Sequence, residues 1–305
     1  MATDVTQEMP GKGKRKGKAA KPKQKKVRRV VYSPAYRAKG GLFQALRTYL
    51  GEIWRDRWQI WMNFLRKFKS SYSTTFFGMF WAFALPLVPI GAYTLLATMR
   101  VVSTTDDMSH LVYIALGVTL YAYITAPIEQ TMAALKSDMA LLSKTHIGVF
   151  SVILGRFGNI AFETLVRLGL IGILMAFFGS YPTQWQSLYF IPLLAVAFLA
   201  SLGVGLVLAI FNAVASDVEK VVSVVIRFGV FFSAVFFPMP QDGLSGQMTD
   251  FNALHTFVDG LRHLLVKGYL PEWELMAWTA GGGMALFFIA LSLFYRAEPH
   301  LRASG

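Results

Sequence analysis

The 305-residue chain is 54% hydrophobic and 14% aromatic, yet only 15% of its residues are charged. That is too little charge to cover the surface of one water-soluble domain, which argues against a soluble enzyme and for a chain that lives in a bilayer. Its formal charge of +13 belongs to one end: residues 1–69 carry 19 of the 30 Lys and Arg against 4 of the 17 acids, and the remainder is slightly acidic.

Residues 1–40 read as a disordered basic cytoplasmic tail. Lys12 to Arg29 holds 11 basic residues in 18, interleaved with Gly, Ala, Pro and Gln and lacking apolar periodicity. No aromatic interrupts the run to stack on a base, so a solvated tail or contact with anionic lipid is favoured over nucleic acid. Residues 41–70 switch to an amphipathic helix. At 100° per residue Trp54, Trp58, Trp61, Leu65 and Phe68 share one arc, while Glu52, Arg55, Asp56, Arg66 and Lys67 project elsewhere. Three Trp with basic neighbours describe a helix lying in the membrane interface.

Residues 71–300 form the membrane domain, with spans expected at about 76–98, 110–133, 148–178, 187–211, 220–237 and 273–295. The first runs 23 residues from Phe76 to Thr98 without a charge. At the helical rise it reaches about 34 Å, enough for a hydrocarbon core of roughly 30 Å. Six spans put both termini on one side, and the basic end makes that side cytoplasmic. The segment 238–272 is too short and polar to span. Its apolar residues Leu254, Phe257, Val258, Leu261, Leu264 and Leu265 recur at helical spacing, which predicts a re-entrant outer helix before the last span. The expected fold class is therefore an all-α polytopic membrane protein.

Few constellations carry chemistry. Gly11 to Ala20 is rich in Gly and Lys but lacks the spacing of a phosphate-cradling loop. The cysteine count is zero, which removes disulfides and thiolate metal sites. His255, Asp259 and His263 share a helix face, but two turns put the histidines roughly 12 Å apart, too far for one ion. Glu163 and Arg167, with Arg156 two turns earlier, lie inside the third expected span. Ionisable groups at that depth are costly unless paired or facing water. A neutralising pair is one reading; contact with an anionic substrate or a lipid phosphate is the other. Aromatic rows including Trp81, Tyr121, Tyr123, Phe231 and Phe232 fit either lipid-facing belts or a lane for a sugar polymer.

The order of an interface helix, six spans, a polar loop after the second and an outer helix before the last resembles the permease subunits of ABC-2 type polysaccharide exporters, which serve capsule, O-antigen and teichoic acid. The resembling stretches are FFGMFWAFALPLVPIGAYTLL (76–96), FFSAVFFPMP (231–240), FNALHTFVDGLRHLLVKGYLPEW (251–273) and FFIALSLFYRAEPH (287–300). The capsule branch is the nearest by its Arg-His-Leu-Leu-Val-Lys-Gly-Tyr run. Asn252-Ala253 departs from the family's Asn-Pro.

The resemblance implies a non-enzymatic permease in the bacterial inner membrane with both termini cytoplasmic. It implies a homodimer joined to two copies of an ABC ATPase, which bind the ATP and Mg; this chain would carry no cofactor or metal. The cargo would be a lipid-linked polysaccharide amid membrane lipids, with room for a periplasmic adaptor and no role for nucleic acid. Asp138, Leu141, Leu142, Lys144 and His146 would form the ATPase-coupling loop. Trp54, Trp58 and Trp61 would gate the substrate, with Trp81, Tyr121, Tyr123, Phe231 and Phe232 along its channel. Asp259 and Arg262 would help close the outer mouth, leaving Glu163 and Arg167 as the intramembrane pair. Two other readings stay open: an ABC-2 drug or lipid exporter, and a membrane anchor or scaffold with a basic recruiting tail.

Overall fold

The structure is a computed structural model. It describes residues 40–73, 76–78, 80–99, 108–137, 147–178, 182, 184–238, 249 and 251–303. The basic tail and the loop carrying Asp138, Leu141, Leu142, Lys144 and His146 lie outside the described residues.

Among the described residues the chain is all-helical: α1 (Leu42–Ser73), α2 (Phe80–Thr98), α3 (His110–Ser137), α4 (Val149–Phe178), α5 (Phe190–Val214), α6 (Asp217–Gly229), α7 (Ala253–Lys267) and α8 (Trp273–Ala303). A 3-10 turn, Trp185–Tyr189, leads into α5, and another, Val230–Phe232, follows α6. Among the described residues, four helical segments are long and apolar enough to cross a membrane: α3, α4, α5 with its leading turn, and α8. A helix suits that role because most of its backbone groups are hydrogen-bonded within the segment.

The central rod is α3, buried along most of its most apolar stretch, whereas α4 and α8 turn more of theirs outward. Two cores sit at opposite ends of the bundle. One gathers Tyr49, Met132, Phe150, Leu206 and Phe294, where α1, the end of α3, the start of α4 and the end of α8 meet. The other gathers Tyr113, Leu116, Phe257, Leu261 and Met276 around the start of α3. Between them, small residues let helices approach closely. A Cβ on Gly203 of α5 would lie 2.6 Å from the Cα of Phe287 in α8, and one on Gly283 would lie 2.6 Å from the Cβ of Ala200. Close seams of this kind let dispersion and backbone contacts hold helices together in lipid.

The stretch expected as a fifth span, 220–237, does not continue as one helix. It stops at Gly229, makes the short 3-10 turn, and runs irregularly past Ser233, with Ala234 at a φ of 49°. Thirteen helical residues cover only about 20 Å. The non-helical backbone at 233–236 is buried in protein, where Tyr113 Oη and Arg262 Nη2 donate to the Ala234 carbonyl at 3.0 and 2.7 Å. Hydropathy registers the apolar run but not the side chains that satisfy a broken one. At α7, Asn252 supplies the N-cap, its Oδ1 accepting from the Leu254 and His255 amides. Gly268 ends the helix in the left-handed region at a φ of 72°, its N–H donating to the Leu264 carbonyl.

Candidate substrate cavity

The interface helix α1 docks along α4 with apolar and acidic side chains together on its inward face, Ala45 and Tyr49 among them. Glu52 and Asp56 face inward and are 6% and 5% exposed, while Trp54, Trp58 and Trp61 point outward at 74%, 69% and 51%. Such an arrangement suits a helix whose outer face meets lipid headgroups. Arg57 lies over the Trp54 ring at 5.0 Å, the geometry of a cation–π pair. The inward face is shaped for contact: a Cβ on Gly158 of α4 would sit 2.5 Å from a ring carbon of Phe64. Burial works against ionisation of Asp56. Hydrogen bonds from Arg55 and the Gly148 amide, the Arg55 charge and the Ser151 hydroxyl outweigh it and hold the carboxyl below its ordinary value.

Where α1 ends, a cavity of about 540 Å³ opens between its last turns, the middle of α3 and the middle of α4. Lys67, Arg156 and Arg167 bring positive charge to its wall, opposed by Glu129 and Glu163. Arg167 and Glu163 are brought together at 3.5 Å. Arg156 donates to Gln130 Oε1 at 3.3 Å and to the Ser137 hydroxyl. Two polar atoms on the wall have no hydrogen-bond partner among the described residues: Arg167 Nε, a donor, and Asn159 Oδ1, an acceptor. Buried polar atoms ordinarily find partners, and these two face a wall of the cavity that is already rich in hydroxyl, amide and charged groups. Its hydroxyl, amide and guanidinium wall can bind saccharide oxygens and oxyanions.

The aromatic residues separate into different surroundings. Tyr123 lines the cavity, its ring 5.5 Å from Phe198. Tyr121 is buried and donates to the Ile226 carbonyl, tying α3 to α6. Trp81, Phe231 and Phe232 are exposed on α2 and the turn after α6. Asp259 and Arg262 do come together on α7, with Arg262 Nη1 3.2 Å from Asp259 Oδ1. The Arg262 guanidinium also stacks over the Tyr113 ring at 3.6 Å, and His263 Nδ1 is 3.2 Å from Asp259 Oδ2. Sequence reasoning passed over Glu129 and Asn159. A lone acid inside an apolar stretch was the available signal for Glu129; nothing in the local pattern marks Asn159.

No family model matches the chain. Compared with known proteins, it is 21% identical over 253 residues to the polysialic acid transport protein KpsM of Escherichia coli, covering 79% of this chain and 94% of that protein. It is 20% identical over 236 residues to the O-antigen export system permease protein RfbA of Myxococcus xanthus, covering 75% of this chain and 88% of that one. The chain is similar to proteins of polysaccharide export. In both cases the similarity takes in most of the relative, so it concerns whole proteins and not one shared motif.

Proposed function

We propose that the chain is the permease subunit of an ATP-driven exporter that carries a lipid-linked polysaccharide, such as capsule, out of the cytoplasm across the inner membrane. The observation that carries this reading is the similarity covering 94% of a polysialic acid transport protein. A polar cavity at the middle of two spanning helices, beside a helix with an outward Trp stripe, supports it. In this reading α2 and the α6 segment with its turn complete six crossings, α7 is re-entrant at the outer face, and both termini are cytoplasmic. Two permeases pair, and each receives an ATPase at the 138–147 loop. ATP-driven closure of the ATPases pushes that loop, and packed helices carry the motion to the dimer seam as rigid bodies. Trp54, Trp58 and Trp61 hold the lipid carrier at the interface, and Lys67, Arg156 and Arg167 meet the polar head of the cargo.

The test is reconstitution with the candidate ATPase in proteoliposomes, measuring ATP turnover and glycan export. Lipid-linked glycan should stimulate turnover and cross the bilayer. Stimulation by apolar drugs or free lipid alone, with glycan inert, would replace this reading with that of a drug or lipid exporter.

A further inference from the structure

The first amides of a helix have no acceptor within it, and the residue before the first turn usually supplies one. At the start of α4 that residue is Gly148, which has no side chain to offer. The acceptor comes from another helix: Asp56 Oδ2 of α1 takes the Gly148 amide at 3.2 Å and the Ser151 hydroxyl at 3.1 Å. A carboxylate there also faces the positive end of the α4 dipole. Arg55 Nε fixes the other oxygen, Oδ1, at 2.8 Å. Glu52, one turn back on the same face, is buried and reaches Gly148 with the end of its side chain. A Cβ on Gly148 would meet Glu52 Oε2 at 2.3 Å, so a larger residue there would oblige the flexible end of Glu52 to swing aside. Tyr49, a further turn back, stacks on Phe150 with ring centroids 4.7 Å apart.

Gly148 directly follows the 138–147 segment. We propose that Asp56 is a positioning residue that makes α1 and the start of α4 one mechanical unit. A push on that segment by an ATPase is thereby delivered to the Trp-striped helix without passing through the bilayer-spanning part of α4. This rests on the exporter reading for its consequence. The seating of Asp56 on α4 is a separate matter that can be measured without it.

The cysteine-free chain allows a direct test in the full transporter. An Asp56→Cys/Ser151→Cys pair should export glycan slowly when reduced, because the carboxylate is gone, and faster once oxidised to a cross-link, because the two helices are tied together again. Loss of export on cross-linking would overturn the proposal, because it would mean that α1 slides on α4. Asp56→Ala should lower export by about tenfold or more while ATP hydrolysis stays within about twofold, because a charge-assisted hydrogen bond is lost. Asp56→Asn, which keeps an acceptor oxygen, should restore most of the export; equal loss in both variants would count against capping. An Ile147→Cys reporter, at a site 7% exposed, should react with a maleimide about tenfold faster in the Asp56→Ala background as the local opening free energy falls. Unchanged labelling would overturn the positioning role whatever the cargo. Absence of glycan export in the unaltered transporter would instead sink the exporter reading and leave the labelling result to decide this one.

Discussion

Arg262 is the largest side chain with no exposed surface. A buried guanidinium is costly unless its charge and its fork of donors are both met. Here Asp259 supplies the charge, the Ala234 carbonyl takes Nη2, and the Tyr113 ring lies under the plane, while Nε alone of the fork has no hydrogen-bond partner among the described residues. The same carbonyl takes the Tyr113 hydroxyl, so one arginine pins α7, α3 and the turn after α6 at a single point. Arg262→Ala is therefore expected to destabilise the protein by about 3–5 kcal/mol, as breaking a buried pair does. Tyr113→Phe keeps the ring and should cost only about 1 kcal/mol. Arg262→Lys should fall close to Ala, because an ammonium cannot stack and fork at once. Reversible unfolding in mixed micelles measures all three, and a wild-type midpoint for Arg262→Lys would defeat the stacking argument. Asp259 and Arg262 were legible in the sequence through the family resemblance, which sets both on the outer helix. Tyr113 and Ala234 were not, because they arrive from distant parts of the chain.

At the scale of elements, the apolar rods of α3, α4, α5 and α8 are legible because long uncharged stretches at helical length have few other uses. The stripe on α1 is legible too, but its sense is not. Periodicity shows two faces without saying which one the protein covers, and here the acids go inward to meet α4. The break after Gly229 escapes hydropathy altogether, since buried side chains rather than sequence pattern make it tolerable. Helix seams offer the sharpest contrast between neighbouring glycines. Gly203 of α5 faces α8 backbone within contact distance, so Gly203→Leu overpacks the seam and should cost about 1–3 kcal/mol or block assembly. On α8, a Cβ on Gly281 or Gly282 would meet nothing within 4 Å. Gly281→Ala should thus leave stability unchanged or raise it by up to about 1 kcal/mol, through the lower backbone entropy of the unfolded chain. Thermal stability in detergent distinguishes the two, and equal effects at both positions would mean that α5 and α8 do not pack as described.

Across the whole molecule, two packed cores flank a polar cavity, and α1 reaches from one core to the cavity along α4. Its Trp residues contribute little to that packing because most of their surface points away from the protein. Replacing Trp54, Trp58 and Trp61 together by Ala should therefore leave the unfolding midpoint in detergent near that of the unaltered protein. In a bilayer the same change removes three amphipathic rings from the headgroup layer, where such rings anchor a helix. The helix should then sit less firmly at the interface, and under the proposed function the lipid carrier loses its holding face beside the cavity. Export is expected to drop by about tenfold, with polymer accumulating in the cytoplasm, while ATPase binding persists; three interfacial contacts weakened by about 0.5 kcal/mol each suffice for that. Stability and export are read separately, so the two outcomes cannot be confused. A lowered midpoint would show that the tryptophans pack against protein, and normal export at normal stability would show that they face lipid without serving the cargo.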